Sequence, residues 1–472
     1  MTSLATKRLR HLTSINDLRI DEIEAIFSLA EKYLRELADP AIDYRIGRSL
    51  GVAQGSILAT LFYEPSTRTR LSFESAMARL GGKSISSADP ATSSAAKGES
   101  LADTVRVASN YADALVIRHP RDGAARFAAE YASVPVINGG DGAHEHPTQT
   151  LCDLFTLRKE SKDLKKLNVA ISGDLKGSRT IHSFVYALAR FGAQITLMPA
   201  KGMELPDHVV WRLQHEFKRG PSRKQEIKDA SVDALYVTSD EPHQLALIAE
   251  PEAIDLQLEK RGRTKKSIDA VYVTRFQKER WTDKSQDYPT VDAKFLKGRQ
   301  FSHTRVMHPL PRVGELDVAL DSDRRAVYFR QAAYGVPIRM ALISLLLGFN
   351  KPNTFEAFDD GFRPVGQILY DQPPGIGIRC ANANCIVHDP LDGKYARNKF
   401  HLIDSTPQRL RCFYCERDIE QFVIGNRKQK TYAAGAKGAM PKNAKDIIFF
   451  ANEEDAQAAH YFSRARRRTA QS

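Results

Sequence analysis

The chain has 472 residues, 42% of them apolar and 27% charged, with a formal net charge of +12. That length exceeds one hydrophobic core and implies two or three domains. The longest apolar run, Met340 to Phe349, falls far short of a bilayer span, and the basic start MTSLATKRLR has no apolar stretch behind it, so a cytoplasmic protein without leader or membrane anchor is expected.

Residues 14–37 carry Leu18, Ile23, Ile26, Leu29, Ala30 and Leu34 near helical spacing and predict an amphipathic helix. Ser56 to Tyr63 reads as a buried strand stopped by Pro65. The next helix has Phe73, Met77 and Leu80 on one stripe and ends at Gly81-Gly82. A Ser/Ala/Gly-rich loop is expected from Ser84 to Gly98, then a helix over 100–111 and strands at Ala114–Arg118 and Val134–Asn138. Strands alternating with helices imply a parallel sheet covered on both faces. The pattern restarts with a strand at Leu167–Ser172, a helix at Arg179–Phe191 and a strand at Gln194–Met198. Further strands are expected at 234–237, 270–274 and 305–307, and a helix at Ala333–Leu347 closes this second unit. The charged stretch 240–266 reads as an insertion, and Asn350–Gly377 has the Pro, Gly and Asp content of a linker. From Gln421 to Ser472 there are ten Lys/Arg against four Asp/Glu, which predicts a solvated basic tail; nucleic acid or an acidic partner is the alternative for it.

Four of the five cysteines, Cys380, Cys385, Cys412 and Cys415, form two close pairs of C-x4-C and C-x2-C type. In a cytosolic chain such pairs indicate a structural metal rather than disulfides, with Zn²⁺ the usual occupant. Cys152, in the apolar TLCDLF, is expected to be buried and inert.

Glu64-Pro65-Ser66-Thr67-Arg68-Thr69-Arg70 lies between a buried strand and a helix, where unpaired N–H groups, hydroxyls and a guanidinium favour a phosphate. Alone, it would equally be an ordinary helix cap. His146-Pro147-Thr148-Gln149 follows NGGDGAHE, expected as a loop, and places a His and a Gln within reach of one pocket. His308-Pro309-Leu310-Pro311-Arg312 ends a later strand, with two prolines expected to hold an extended backbone that presents carbonyl oxygens.

These motifs, with KGESLADTV, IRHP, GDLKGSRTIHS, TRFQKER and YFRQAAYG, run collinearly from about Leu9 to Leu347 and resemble the transcarbamoylase family, above all the catalytic chains of aspartate carbamoyltransferase. The resemblance implies two Rossmann-like α/β parallel-sheet domains, 1–147 for carbamoyl phosphate and 148–350 for aspartate, with the last helix returning to the first. It also implies a homotrimer whose neighbouring chains complete each site. By the same resemblance Ser66, Thr67, Arg68, Thr69 and Arg118 hold the phosphate. Ser93 and Lys97 come from a loop that enters the neighbouring site, with Lys97 serving both substrates and catalysis. Arg68, Thr69 and His146 polarise the carbamoyl oxygen, Gln149 holds the carbamoyl amide, and Leu310 and Pro311 act through backbone carbonyls. Arg179, Arg275 and Gln277 bind the carboxylates of aspartate. The implied reaction carbamoylates the L-aspartate amine in de novo pyrimidine synthesis, with no cofactor for catalysis. One departure is Ala96, where some relatives have a second lysine. Ornithine, the competing acceptor, is disfavoured by HPLPR in place of His-Cys-Leu-Pro and by Arg275 and Gln277.

Residues 378–424 are similar to the zinc domain of the regulatory chain of the same family, which implies a small β-rich module preceded by a linker (351–377) and followed by the tail (425–472). The linker is too short for a nucleotide-binding domain, so the resemblance supports a docking or bridging module and gives no support for nucleotide regulation. Assembly beyond the trimer is expected, as paired trimers or a complex with another pathway enzyme. A zinc-module nucleic-acid binder and an inactive scaffold are the readings from other classes.

Overall fold

The computed structural model describes residues 10–39, 42–46, 49–87, 94–160, 164, 168–173, 175–191, 194–199, 204–216, 234–237, 270–273, 291–297, 301–349, 368–403, 405, 407–434 and 443–463. The expected first helix forms in two pieces. Ser14 caps a 3-10 turn at Ile15–Asp17, Leu18 is extended, and α1 (Ile20–Leu37) then buries Ile23, Ile26, Phe27 and Ala30. A short antiparallel pair follows, β1 (Ala38–Asp39) with β2 (Ile42–Ile46).

The first sheet is parallel in the order β4-β3-β5-β6, from β3 (Ile57–Phe62), β4 (Lys83–Ser87), β5 (Ala114–His119) and β6 (Val136–Asp141). Helices α2 (Thr67–Arg79), α3 (Leu101–Ala108) and α4 (Ala124–Tyr131) connect its strands, and α5 (Pro147–Glu160) leads out of it. β4 lies where a loop was expected: KSISS is a largely exposed edge strand with no apolar face to mark it. β6 likewise runs through Asn138–Asp141, inside the expected loop, and is buried along its whole length.

The second sheet is parallel in the order β11-β10-β9-β7-β8. Its strands are β7 (Asn168–Gly173), β8 (Gln194–Pro199), β9 (Ala234–Val237), β10 (Ala270–Val273) and β11 (Arg305–Met307). Helices α6 (Arg179–Phe191) and α7 (Asp207–His215) belong to it. The closing helix, α8 (Tyr328–Leu346), begins earlier than the expected Ala333 and packs on α1, α2 and α5. The stretch 240–266, read as an insertion, lies outside the described residues.

Toward the C-terminus, β12 (Leu369–Asp371), β13 (Lys399–Ile403), β14 (Arg409–Cys412) and β15 (Asp418–Ile419) make an antiparallel sheet in that order. Residues 369–371 are thus already part of the module and not of a linker. A second sheet, β18-β16-β17-β19, is built from β16 (Val423–Asn426), β17 (Thr431–Ala434), β18 (Ile447–Phe450) and β19 (Phe462–Ser463), with α9 (Glu453–Ala458) against it. The expected basic tail is therefore folded over residues 425–434 and 443–463. Val423, Tyr432, Ile448, Phe450, Ala456 and Tyr461 form its small core, which a count of charges over the segment conceals. Residues 464–472 lie outside the described residues.

The module is docked on the first domain with a shared core, in which Leu115, Ile117 and Phe127 join Phe400, Tyr414 and Phe449. Gly123, at φ 81°, lets Tyr414 approach so closely that a Cβ there would lie 2.6 Å from the tyrosine's carbonyl carbon. Asp392 reaches across to accept from the backbone N–H groups of Leu101 and Ala102 at the start of α3 (3.1 and 3.2 Å). Glu416 accepts from Arg126 of α4 at 2.8 Å and also pairs with Arg212 of α7, so one carboxylate of the module ties to both catalytic domains. Among the described residues, no helix is long and apolar enough to cross a membrane.

Candidate active site

Ser66, extended at φ −162°, ends the turn after β3, and α2 starts at Thr67 with no acidic residue in its first turn. The Ser66 side chain makes no capping bond, so the hydroxyl and the first N–H groups of the helix remain available to an anion. They open onto a cavity of about 600 Å³. Ten of the expected residues line it: Ser66, Thr67, Arg68, Thr69, Arg118, His146, Gln149, Arg179, Leu310 and Pro311. They come from the C-terminal ends of β3, β5 and β11 and from the first turns of α2, α5 and α6, so both domains contribute. Lys97 is exposed at the end of a 3-10 turn (Ser94–Lys97) and is not among the residues lining the cavity of its own chain. Ser93, Arg275 and Gln277 lie outside the described residues.

Glu64 opens the same motif as Ser66 and carries no expected role. Its carboxylate accepts from Arg118 (3.1 Å) and from both terminal nitrogens of Arg179 (2.9 Å each). It thus occupies the position between two guanidiniums that an anionic substrate would take. The two arginines also donate to backbone oxygens, Arg118 to Gly139 (3.2 Å) and Arg179 to Gly142 (2.8 Å). Gly140, at φ 116°, makes this possible: a Cβ there would lie 3.1 Å from Arg118 Nη1.

His146 is buried, and its backbone N–H donates to Ser183 Oγ at 2.9 Å. Burial, reinforced by the charges of Arg118, Arg179 and Arg339, holds its pKa well below the ordinary value. It is a neutral imidazole at pH 7, suited to donating a hydrogen bond to a carbonyl oxygen. The HPLPR segment differs from the extended backbone expected of it. Leu310 is at φ 52° and the Leu310–Pro311 peptide is cis. Leu310 N donates to His308 Nδ1 (2.7 Å), and His308 Nε2 pairs with Glu315 (2.8 Å), so the ring fixes a turn where the prolines alone suggested extension. Gln331 and Arg339 of α8 also line the cavity; Gln331 stands in the YFRQAAYG segment, to which no role attaches in the sequence, and Arg339 in an apolar stretch with no motif around it. Cys152, expected to be buried and inert, is buried and lies at the cavity wall.

In the C-terminal module the ligand atoms of Cys380, Cys385, Cys412 and Cys415 all lie within 4.8 Å of one another and are buried. The Cys380–Cys415 and Cys385–Cys412 sulfurs are 3.4 and 3.9 Å apart, too far for disulfides. A tetrahedral ion with bonds of about 2.3 Å needs sulfurs about 3.8 Å apart, so the four side chains fit such an ion. A second group, His144, Glu145 and Glu416, is equally compact but already engaged: Glu416 by Arg126 and Arg212, Glu145 by Ser14, Ile15 N and Ser183.

Comparison with known proteins agrees with this architecture. Residues 10–159 match the family profile of the aspartate/ornithine carbamoyltransferase carbamoyl-P binding domain, and residues 249–346 that of the Asp/Orn binding domain. Residues 374–424 match the metal binding domain of the aspartate carbamoyltransferase regulatory chain. The aspartate carbamoyltransferase catalytic subunit of Archaeoglobus fulgidus is 45% identical over 71% of this chain and 98% of its own length. That of Methanothrix thermoacetophila is 42% identical over 72% and 98%. Among solved structures, the catalytic subunit of M. jannaschii aspartate transcarbamoylase has a TM-score of 0.56 and 39% identity, covering 72% of this chain and 98% of that one. The Trypanosoma cruzi enzyme in complex with carbamoyl phosphate and aspartate has a TM-score of 0.56 and 34% identity, covering 72% and 97%. The chain belongs to the aspartate carbamoyltransferase family, with the domains of a catalytic chain and the metal-binding domain of a regulatory chain on one polypeptide.

Proposed function

We propose that the chain transfers the carbamoyl group of carbamoyl phosphate to L-aspartate, giving N-carbamoyl-L-aspartate and phosphate for pyrimidine synthesis in the cytoplasm. The observation that carries this is one cavity between two domains where a helix N-terminus, four arginines and a neutral histidine converge. The phosphate is held by Ser66, Thr67, Arg68, Thr69 and Arg118. Gln149 and the carbonyls of Leu310 and Pro311 accept from the carbamoyl NH₂. Arg179, with Arg275 and Gln277, takes the carboxylates of aspartate. The uncharged α-amine attacks the carbamoyl carbon, negative charge grows on the carbonyl oxygen, the C–O bond to phosphate breaks, and an amine proton leaves with the phosphate. Arg68, Thr69 and His146 donate to that oxygen; the rest is positioning.

Residues 1–147 are assigned to carbamoyl phosphate and 148–350 to aspartate. Lys97 and Ser93 serve the site of an adjacent chain in a homotrimer, consistent with the place of Lys97 away from its own cavity. The ion held by the four cysteines is Zn²⁺, structural in role, since all four positions are filled by thiolates and none is open to substrate. A colorimetric assay for carbamoyl-aspartate, run beside one for citrulline with ornithine as acceptor, decides the activity. Product from aspartate alone is expected, and product from ornithine would overturn the acceptor.

A further inference from the structure

Asp153 lies one turn beyond Gln149 on α5, fully buried and without an ion-pair partner among the described residues. A carboxylate in that position is costly unless hydrogen bonds hold it, and three do. Gln149 Nε2 and Gln331 Nε2 both donate to Oδ1, at 2.8 and 2.7 Å, and the Tyr272 hydroxyl of β10 donates to Oδ2 at 2.8 Å. Gln331 in turn accepts from His308 N at 2.9 Å through its Oε1.

A glutamine amide can face either way, and here Oδ1 of Asp153 settles which, because an oxygen that meets two amides accepts from both whether or not the group carries a proton on Oδ2. With Nε2 committed to Asp153, Gln149 keeps Oε1 for the cavity, where the carbamoyl NH₂ needs an acceptor. Reversed, the amide would set NH₂ against NH₂. The second glutamine extends the same control to the 308–311 segment, whose carbonyls face the same nitrogen in the reading above.

We infer that Asp153 is a positioning residue for carbamoyl recognition, fixing the amide face of Gln149 directly and the Leu310–Pro311 carbonyls through Gln331 and the backbone of His308. This rests on the proposed function and deepens it: Asp153 selects an acyl phosphate whose carbon bears an N–H donor, and contributes nothing to holding the phosphate itself. Burial pushes its carboxyl up to about 7 against the pull of Gln331, Tyr272, Gln149 and the Arg339 charge, as expected of a group kept for its acceptor oxygens at some expense.

The test compares two ligands by calorimetry on the full chain. Phosphonoacetamide carries the same carboxamide as carbamoyl phosphate on a non-hydrolysable carbon, and inorganic phosphate lacks it. Asp153→Leu should weaken phosphonoacetamide by about tenfold or more, the worth of about one hydrogen bond, and raise the carbamoyl phosphate KM similarly. Phosphate affinity should stay within about twofold. Asp153→Asn should restore phosphonoacetamide binding, because its Oδ1 can accept from both glutamines while Nδ2 donates to the Tyr272 hydroxyl. If the leucine variant does not fold, Gln331→Leu gives the same comparison through the other branch. Equal weakening of both ligands, unchanged phosphonoacetamide binding, or a well-folded asparagine variant without rescue would overturn the inference. Failure of the proposed function looks different: wild-type protein would bind phosphate but not phosphonoacetamide.

Discussion

Glu416 offers the sharpest test of how the metal module is held. Burial raises the pKa of its carboxyl, but the charges of Arg212 and Arg126, with His144, outweigh this and hold it well below the ordinary range. Glu416→Gln removes the charge while keeping the shape, leaving two buried guanidiniums to face an amide. Breaking a buried pair from one side costs about 3–5 kcal/mol, and since glutamine retains one acceptor oxygen we expect about 3. That is more than two powers of ten in the docking equilibrium. Trp211, one of two tryptophans, provides the readout, because Arg409 and Arg411 of the module lie 5.0 and 5.7 Å from its ring. Denaturant titration followed by tryptophan emission should show the module separating early in Glu416→Gln. In Glu420→Gln, which removes a half-exposed partner of Arg409, the change should be below about 1 kcal/mol. The sign with pH follows from the lowered pKa: the Glu416 contribution is complete above the ordinary carboxylate range and fades only as pH falls through its own low value. A deficit at pH 7 no larger than that of Glu420→Gln would refute the reasoning.

Arg68→Ala should lower turnover at least about 10³-fold with an unchanged melting curve, and His146→Ala about 10²-fold, both measured as carbamoyl-aspartate formed. Mixing inactive Lys97→Ala and Arg275→Ala chains under conditions of subunit exchange should restore activity; none restored would give each chain its own complete site. Metal analysis should find about one zinc per chain, and Cys412→Ser should lose the metal and show the early Trp211 transition described for Glu416→Gln. Burial lowers the pKa of His119 to about 4, so below pH 6.5 the unfolded chain takes up a proton that the folded chain refuses, and stability falls as pH drops toward 4. His119→Gln should remove on the order of 3 kcal/mol of that loss, read as a flatter plot of unfolding free energy against pH.

Residues that line the cavity near the motifs were legible because their chemistry is unusual for their surroundings: Ser66 to Thr69 follow a buried strand, and His146 and Gln149 start a helix. The groups that orient them were not. Asp153 stands in LCDLF, where an apolar pattern hides a single carboxylate, and its partners Tyr272 and Gln331 are far away in sequence. Glu64 gave no hint of its role because its partners Arg118 and Arg179 come from other strands and another domain. Helices α4 and α7 were passed over between more regular segments, although both carry arginines that meet Glu416. The sheet over 423–463 was lost for a different reason. Summed charge averages Ile447–Phe450 together with the lysines around it, and only the unbroken apolar run IIFF, taken by itself, would have marked the strand.

The chain crosses between its two catalytic sheets twice, outward by α5 and back by α8, and these two helices lie against each other. A single tether would let one half swivel in any direction. Two adjacent crossings leave an axis, and relative movement is confined to opening and closing about it, as the covers of a book move about its spine. Gln149 and Asp153 on one crossing and Gln331 on the other meet at that spine. Arg179, at the start of α6, and Leu310, after β11, belong to one cover, and Ser66 to Thr69 and Arg118 to the other. Closing about the spine would bring the two sets together, and opening would part them.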